Sequence, residues 1–219
     1  MKNSKEKIIR YALLILGIFF VGLGIALAKR SGLGISPVSS VANVISLKFP
    51  VLSVGTWLML WNCFMVLLQV AILRKAFKLI QLLQFPISLL LGVFTDACVF
   101  AVSIIPVELY VIRLLLVIFG VLALALGVVC MMLSDTVMNV GEALVKVLSD
   151  VFKKEFGNVK IVFDICCVSL SAVLSILFFG FKVVGIREGT LITACLTGTA
   201  VKLIMKAAKK TKLYKNLKR

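Results

Sequence analysis

The chain has 219 residues, of which 62% are hydrophobic and only 16% are charged, and its mean hydropathy is +1.15. A soluble domain carries about a quarter charged residues, so this composition excludes an ordinary globular domain and predicts an all-α integral membrane protein. The formal net charge is +16, and the basic residues lie in tails and short loops beside apolar runs. This pattern favours contact with anionic lipid and predicts no nucleic-acid partner.

Six apolar runs are long enough to cross a bilayer, at about 8–28, 54–73, 79–104, 110–132, 158–180 and 188–205. The first run follows a basic segment, as a signal peptide does, but its length favours a retained transmembrane helix. If every run crosses the membrane, 19 of the 25 Lys and Arg residues lie on the same side as the N-terminus. The positive-inside rule then places both termini in the cytoplasm.

The second half of the chain repeats the first at an offset of about 103 residues. Gly17 and Gly24 fall on Gly120 and Gly127, and the seven-residue step in each pair predicts one tightly packed helix face. With three spans in each copy, the two repeats have opposite orientations, an arrangement typical of transporters. We divide the chain into a first repeat, an inverted second repeat and a basic cytoplasmic tail, at 1–105, 106–205 and 206–219.

Each repeat carries a longer connection after its first span, at about 29–53 and 133–157. In the first connection, Ser36 followed by Pro37 is typical of a helix start, and in the second Asn139 can cap a helix. Both predicted helices are short and amphipathic. They either lie flat at the membrane surface or enter the membrane as re-entrant half-helices whose N-termini point into a cavity.

Charged side chains within the spans are functional candidates, because a charge is costly inside a bilayer. Asp96 and Asp164 are the candidate carriers of a coupled proton or ion. Each also has a basic residue in reach on a neighbouring span, so we predict the charge pairs Asp96–Arg113 and Asp164–Lys202. Asp96 and Lys202 occupy equivalent repeat positions, but inversion places them on opposite sides of the membrane and predicts that they do not touch.

Polar residues also recur at equivalent positions of two spans. Asn62 falls on Asp164, and each is followed seven residues later by a polar residue, Gln69 and Ser171. These stripes either line a cavity between the repeats or form interhelical hydrogen bonds. The substrate-binding set that we predict contains Ser36, Pro37, Asn62, Asn139 and Asp164.

Three segments carry a family resemblance: GLGIAL at 22–27, GLGISP at 32–37 and GIREGT at 185–190. In these segments the chain resembles the YczE/YyaS/YitT family of uncharacterised bacterial membrane proteins, and the likeness extends over nearly the whole chain. The resemblance implies a polytopic fold in the bacterial plasma membrane, and it implies no particular substrate.

The leading functional hypothesis is a small secondary permease with a solute or ion site between the inverted repeats. The alternative is a non-transporting membrane scaffold that supports a partner enzyme or transporter. A homo-oligomer is compatible with either hypothesis. The sequence has no histidine and no CxxC pair, so we expect no enzyme activity, no cofactor and no metal site.

Overall fold

The computed structural model describes residues 4–210 apart from 75, 76, 78, 137, 181, 183 and 186. Within these residues the chain is helical and has no strand. A short 3₁₀ helix, Leu79–Leu83, precedes the fourth α-helix. The α-helices are α1 (Ser4–Ser31), α2 (Pro37–Lys48), α3 (Val54–Leu73), α4 (Gln84–Val102), α5 (Tyr110–Ser134), α6 (Val140–Phe152), α7 (Phe156–Phe179) and α8 (Glu188–Lys209).

Six of these helices, α1, α3, α4, α5, α7 and α8, are long and apolar enough to cross a membrane. They confirm the six predicted spans and indicate a multi-pass membrane protein. The predicted basic tail, 206–219, begins as the last turn of α8, because that helix continues to Lys209. From residue 211 onward the tail lies outside the described residues.

The centre of the bundle is the antiparallel pair α1 and α5, which meet along the predicted glycine faces. A Cβ on Gly24 would lie 2.7 Å from the carbonyl oxygen of Gly120, and a Cβ on Gly127 would lie 2.7 Å from that of Gly17. No larger side chain fits at these positions, so the prediction of tight helix packing is confirmed. α4 packs against α1 on one side, and α8 packs against α5 on the other.

Arginine side chains join the helices at the two ends of the bundle. At one end, Arg10 donates from Nη1 to the carbonyl oxygen of Ser134, at 3.2 Å, and forms an ion pair with Glu6. At the other end, Arg30 donates from Nε to the carbonyl oxygen of Ile105, at 2.9 Å. We refer to these as the Arg10 end and the Arg30 end.

The short helix α2 lies inside the bundle, packed against α3, α7 and α8. Eight of its twelve residues are buried. Its second half lies beside the end of α1, where Lys29 donates to Oδ1 of Asn43 at 3.1 Å, and its last residue, Lys48, donates to the carbonyl oxygen of Phe178. This burial favours the re-entrant alternative for α2 over a helix lying flat on a surface.

The other short helix, α6, packs against α3 and α7. Its first half is buried, including Val140, Leu144 and Val147, whereas Val151 and Phe152 at its end are exposed. α6 therefore enters the bundle with its N-terminal half only. Both short helices lie where the sequence predicts them. In both, the first turn is more deeply buried than the last turn.

Candidate functional site

A cavity of about 800 Å³ lies between the two short helices and the long helices α1, α3, α5, α7 and α8. Its size is in the range of small-molecule sites. Its walls are mostly apolar, with polar groups from the starts of α2 and α6 and from the facing sides of α3, α7 and α8. The structure brings the whole predicted substrate-binding set to this cavity: Ser36, Pro37, Asn62, Asn139 and Asp164.

The N-termini of α2 and α6 meet at the cavity. Ser36 and Asn139 are the N-cap residues, and neither side chain caps its own helix. The two first turns touch, since a Cβ on Gly141 would lie 3.1 Å from Cγ1 of Val38. The first N–H groups of a helix have no partner within that helix, so two sets of backbone donors are directed to one place.

Asn62, on α3, presents its amide to the same cavity. The residue is only 4% exposed, and within the described part of the chain its side chain makes no hydrogen bond. Buried polar side chains in proteins are nearly always hydrogen-bonded. An amide that is buried, without a protein partner and on a cavity wall has the character of a ligand-binding group.

A cluster of charged residues lies at the part of the cavity nearer the Arg10 end. Lys160 and Asp164, one turn apart on α7, form an ion pair with Nζ 2.6 Å from Oδ1. Glu142, in the first turn of α6, lines the wall beside them. Burial raises the pKa of the Glu142 carboxyl above its ordinary value of 4.5; Lys160 opposes this shift and the negative charge of Asp164 adds to it.

α8 contributes hydroxyl groups to the cavity. Thr193 is buried and donates to the carbonyl oxygen of Gly189, at 2.7 Å, while Thr197, one turn later, also lines the wall. Among the described residues, Oγ1 of Thr197 is buried without a hydrogen-bond partner. The wall opposite Asn62 thus carries a second polar group that the protein leaves unsatisfied.

The structure places Asp96 outside the cavity. Its carboxylate accepts a hydrogen bond from the backbone N–H of Gly55, at 2.7 Å, and another from Oγ of Ser53. It thereby caps the start of α3 from a neighbouring helix, where the positive end of the helix dipole favours a carboxylate.

The structure does not form either predicted charge pair among the described residues. Arg113 donates instead to the carbonyl oxygen of Val107, at 2.7 Å, and Asp96 is satisfied at the start of α3. Asp164 is paired with Lys160 rather than Lys202. The local partner prevails because it lies one turn away on the same helix, whereas Lys202 is on α8, which does not pack closely against α7.

The sequence left open whether the two polar stripes line a cavity or form interhelical hydrogen bonds, and in the structure each stripe does both. Asn62 and Asp164 line the cavity, but their stripe mates form interhelical hydrogen bonds. Gln69 exchanges amide hydrogen bonds with Gln84 of α4, at 3.0 and 3.2 Å. Ser171 shares a hydrogen bond with Ser40 of α2, at 2.7 Å.

Sequence reasoning left several polar residues of the cavity out of the predicted site, among them Glu142, Lys160 and Thr197. Spacing contained a signal for the first two. Glu142 follows the cap residue Asn139 by three positions, and Lys160 precedes Asp164 by four. Residues three or four apart share a helix face, so these residues had to lie near predicted site residues.

Comparisons with known proteins agree with the predicted resemblance. Residues 8–206 match the model of DUF6198, a family of unknown function. The chain is similar to the uncharacterized protein YyaS of Bacillus subtilis (strain 168), with 28% identity over 203 residues, which cover 92% of this chain and 94% of YyaS. No solved structure matches the chain significantly. The match over most of its length shows that the chain belongs to the DUF6198 family.

Proposed function

We propose that the protein is a small secondary permease that moves a small solute or ion across the plasma membrane through the cavity. The observation that carries the proposal is the convergence of Ser36, Pro37, Asn62, Asn139 and Asp164, which come from four helices, on one cavity. Permeases commonly build their sites from the N-termini of discontinuous helices near the middle of the membrane.

The helix contacts support an inverted repeat. At the sequence offset of about 103 residues, the packed pair α1–α4 corresponds to α5–α8, and α2–α7 corresponds to α6–α3. The cavity lies where α2 and α6, the two equivalent short helices, approach each other. The distribution of Lys and Arg supports an orientation with both termini in the cytoplasm, so the Arg10 end would face the cytoplasm.

In this proposal Asp164 carries the coupled proton or ion. It lies on the cavity wall, next to a lysine that can hold it in place when it is ionised. Asp96, the other candidate from the sequence, has its carboxylate engaged at the start of α3, and its hydrogen bonds support a structural role.

The test is flux into liposomes that contain the purified chain, with labelled carboxylates, amines, neutral amino acids and sugars, and with and without a proton gradient. We expect gradient-driven uptake of one class, and its loss in Asp164→Asn. Asp150→Asn is the matched control, because it makes the same exchange at an exposed acid of α6 that does not line the cavity.

An absence of flux for every class would contradict the permease proposal. Recovery of one stoichiometric partner from native membranes, together with that absence, would instead favour the scaffold hypothesis. Flux that is unchanged in Asp164→Asn would remove Asp164 from the coupling step and leave the permease proposal in place.

A further inference from the structure

The positive charge that the cavity wall offers to a ligand comes mainly from the backbone at the N-termini of two helices. The lysines on its wall are already paired, Lys160 with Asp164 and Lys146 with Asp150. Asp135, at the end of α5, is paired with Arg10. These pairs leave the N-termini of α2 and α6 as the positive groups on the described wall. Glu142 lies in the first turn of α6, and burial raises its pKa, which favours the uncharged form of this acid at the helix end.

The magnitude of that charge selects the ligand. One helix N-terminus is equivalent to about half an elementary charge, so two that meet at one place offer about one positive charge. A single carboxylate matches that charge. A phosphate dianion carries about twice as much, and no arginine lines the described wall to balance the excess. An ammonium group would face two positive helix ends.

Asn62 supplies an independent observation that points to a ligand. The residue is 4% exposed and lines the cavity, and its side chain makes no hydrogen bond within the described chain. An amide N–H₂ can donate to a carboxylate oxygen that the helix ends leave free. The residue therefore completes a donor set that two helix ends alone would not define.

The rest of the cavity fits an apolar group. Val21 and Ile25 of α1, Leu124 and Val128 of α5, and Leu58 of α3 form a continuous apolar wall. These side chains and the helix ends line the same cavity, so a ligand with an anionic head and an apolar tail meets a suitable surface for both parts. Three acids lie on the described wall: Asp164 is paired with Lys160, Asp135 is paired with Arg10, and the burial that raises the pKa of Glu142 favours its uncharged form beside a bound anion.

We infer that the cavity binds a small organic monocarboxylate, with its carboxylate held by the starts of α2 and α6 and by the Asn62 amide, and its apolar tail along α1 and α5. This inference rests on the site of the proposed function and names its substrate class. Binding and transport are separable measurements, so each statement can fail without the other.

The experiment is calorimetric titration of the purified full chain in lipid nanodiscs, with empty nanodiscs correcting for partition of each probe into lipid. The probes are hexanoate, hexanamide, hexylamine and hexyl phosphate, which share one tail and differ in head group. We expect hexanoate to bind at least about ten-fold more tightly than the other three, as loss of a hydrogen bond to a charged group predicts.

Two variants of Asn62 and one control localise the binding. Asn62→Leu weakens hexanoate binding by at least about ten-fold. Asn62→Asp replaces a donor with a negative charge at constant size, so it abolishes hexanoate binding and admits hexylamine. Asn158→Leu makes the same exchange at an exposed position of α7 outside the cavity and leaves binding unchanged.

Equal binding of hexanamide, hexylamine or hexyl phosphate would overturn the inference, and so would hexanoate binding that Asn62→Leu leaves unchanged while the variant stays folded. Flux of an amine or sugar without hexanoate binding would overturn the monocarboxylate class and support the permease. Asn62-dependent hexanoate binding without flux of any solute would support the carboxylate site and overturn transport.

Discussion

The two helix pairs α3–α4 and α7–α8 occupy equivalent places in the sequence repeat, yet only the first is closely packed. A side chain on Gly55 of α3 would collide with the carbonyl oxygen of Gly92 on α4, and the Gln69–Gln84 amide pair joins the same two helices. Gly198 of α8, the sequence equivalent of Gly92, would meet nothing within 4 Å. It lines the cavity instead. The cavity is therefore bounded by the looser of the two pairs.

The charges at these pairs give a physical reason for the difference. Asp96 accepts from the N–H of Gly55 at the start of α3, where the helix dipole is positive and attracts a carboxylate. The sequence equivalent of Asp96 is Lys202, and the element equivalent to α3 is α7. A lysine at this position of α8 gains no attraction from the positive end of the α7 dipole, whereas Asp96 is attracted by that of α3. The repeat therefore keeps the order of the helices but reverses one charge, and the two pairs differ in packing.

The glycines provide the test with the largest expected effect. Gly55→Leu forces a side chain into the backbone of α4, so we expect the variant to lose its folded state in detergent. Overpacking of this kind costs about 1–3 kcal/mol or more. Gly198→Leu is the matched control, because it adds the same side chain at the equivalent position where space is open. Thermal unfolding followed by size-exclusion chromatography measures both.

Gly198→Leu also has an expected functional effect. It should fold as the wild type does and narrow the cavity that Gly198 lines. Equal stability of the two leucine variants would contradict the contrast between a closed α3–α4 pair and an open α7–α8 pair.

The charge explanation is tested by Lys202→Asp, which gives α8 the residue type that α4 has at Asp96. We expect the carboxylate to attract α8 toward the start of α7 and so reduce access to the cavity. The measurement is the rate at which a maleimide labels Thr197→Cys, resolved from the six native cysteines by peptide mass spectrometry. A few-fold lower rate in the aspartate variant is expected.

Lys206→Asp is the control for this charge reversal. It makes the same exchange one turn farther along α8, at another exposed lysine. If both variants slow the labelling equally, the effect comes from net charge on α8 rather than from the position equivalent to Asp96. If neither does, the charge at 202 is not what holds the second pair open.

The sequence predicted well the features that depend on local pattern. Apolar runs predicted six spans because only a helix of about twenty residues satisfies its backbone inside a bilayer. The start of α2 followed from Ser36 and Pro37, and that of α6 from Asn139, because cap residues act within one turn. The five residues proposed to bind substrate came from these helix starts and from the repeat; all five line one cavity, and their role in binding stays a prediction.

The predicted charge pairs depended on distances between helices, which local pattern does not encode. Asp164 lies two turns into its helix, as does Asn62, but its partner is set by Lys160 at the preceding turn. Gln69 was indistinguishable from Asn62 by spacing, and it pairs with Gln84 only because α3 and α4 are close. The sequence repeat predicted which positions correspond. The packing of each helix pair then determines which polar side chains find a hydrogen-bond partner within the protein.

The smallest expected effect concerns Glu142, the acid between the two helix pairs. Burial raises the pKa of this carboxyl in the folded protein above 4.5; Lys160 of α7 opposes the shift and Asp164 adds to it. The other titratable residues on the described wall are Lys146, on the same helix, and Asp135, at the end of α5. Between the ordinary and the raised pKa the folded chain holds a proton that the unfolded chain releases. Its contribution to stability is therefore complete below pH 4.5 and decreases as pH rises through that window.

Glu142→Gln removes this titration, because an amide resembles the protonated acid. The melting temperature of the variant should fall less than that of the wild type between pH 4.5 and 7. At pH 7 the variant should therefore melt at a higher temperature than the wild type. A variant that is less stable at pH 7 would mean that ionised Glu142 is stabilised by Lys160 more than it is destabilised by burial. The acid would then repel a bound carboxylate, and the α7 side of the cavity would favour a cation.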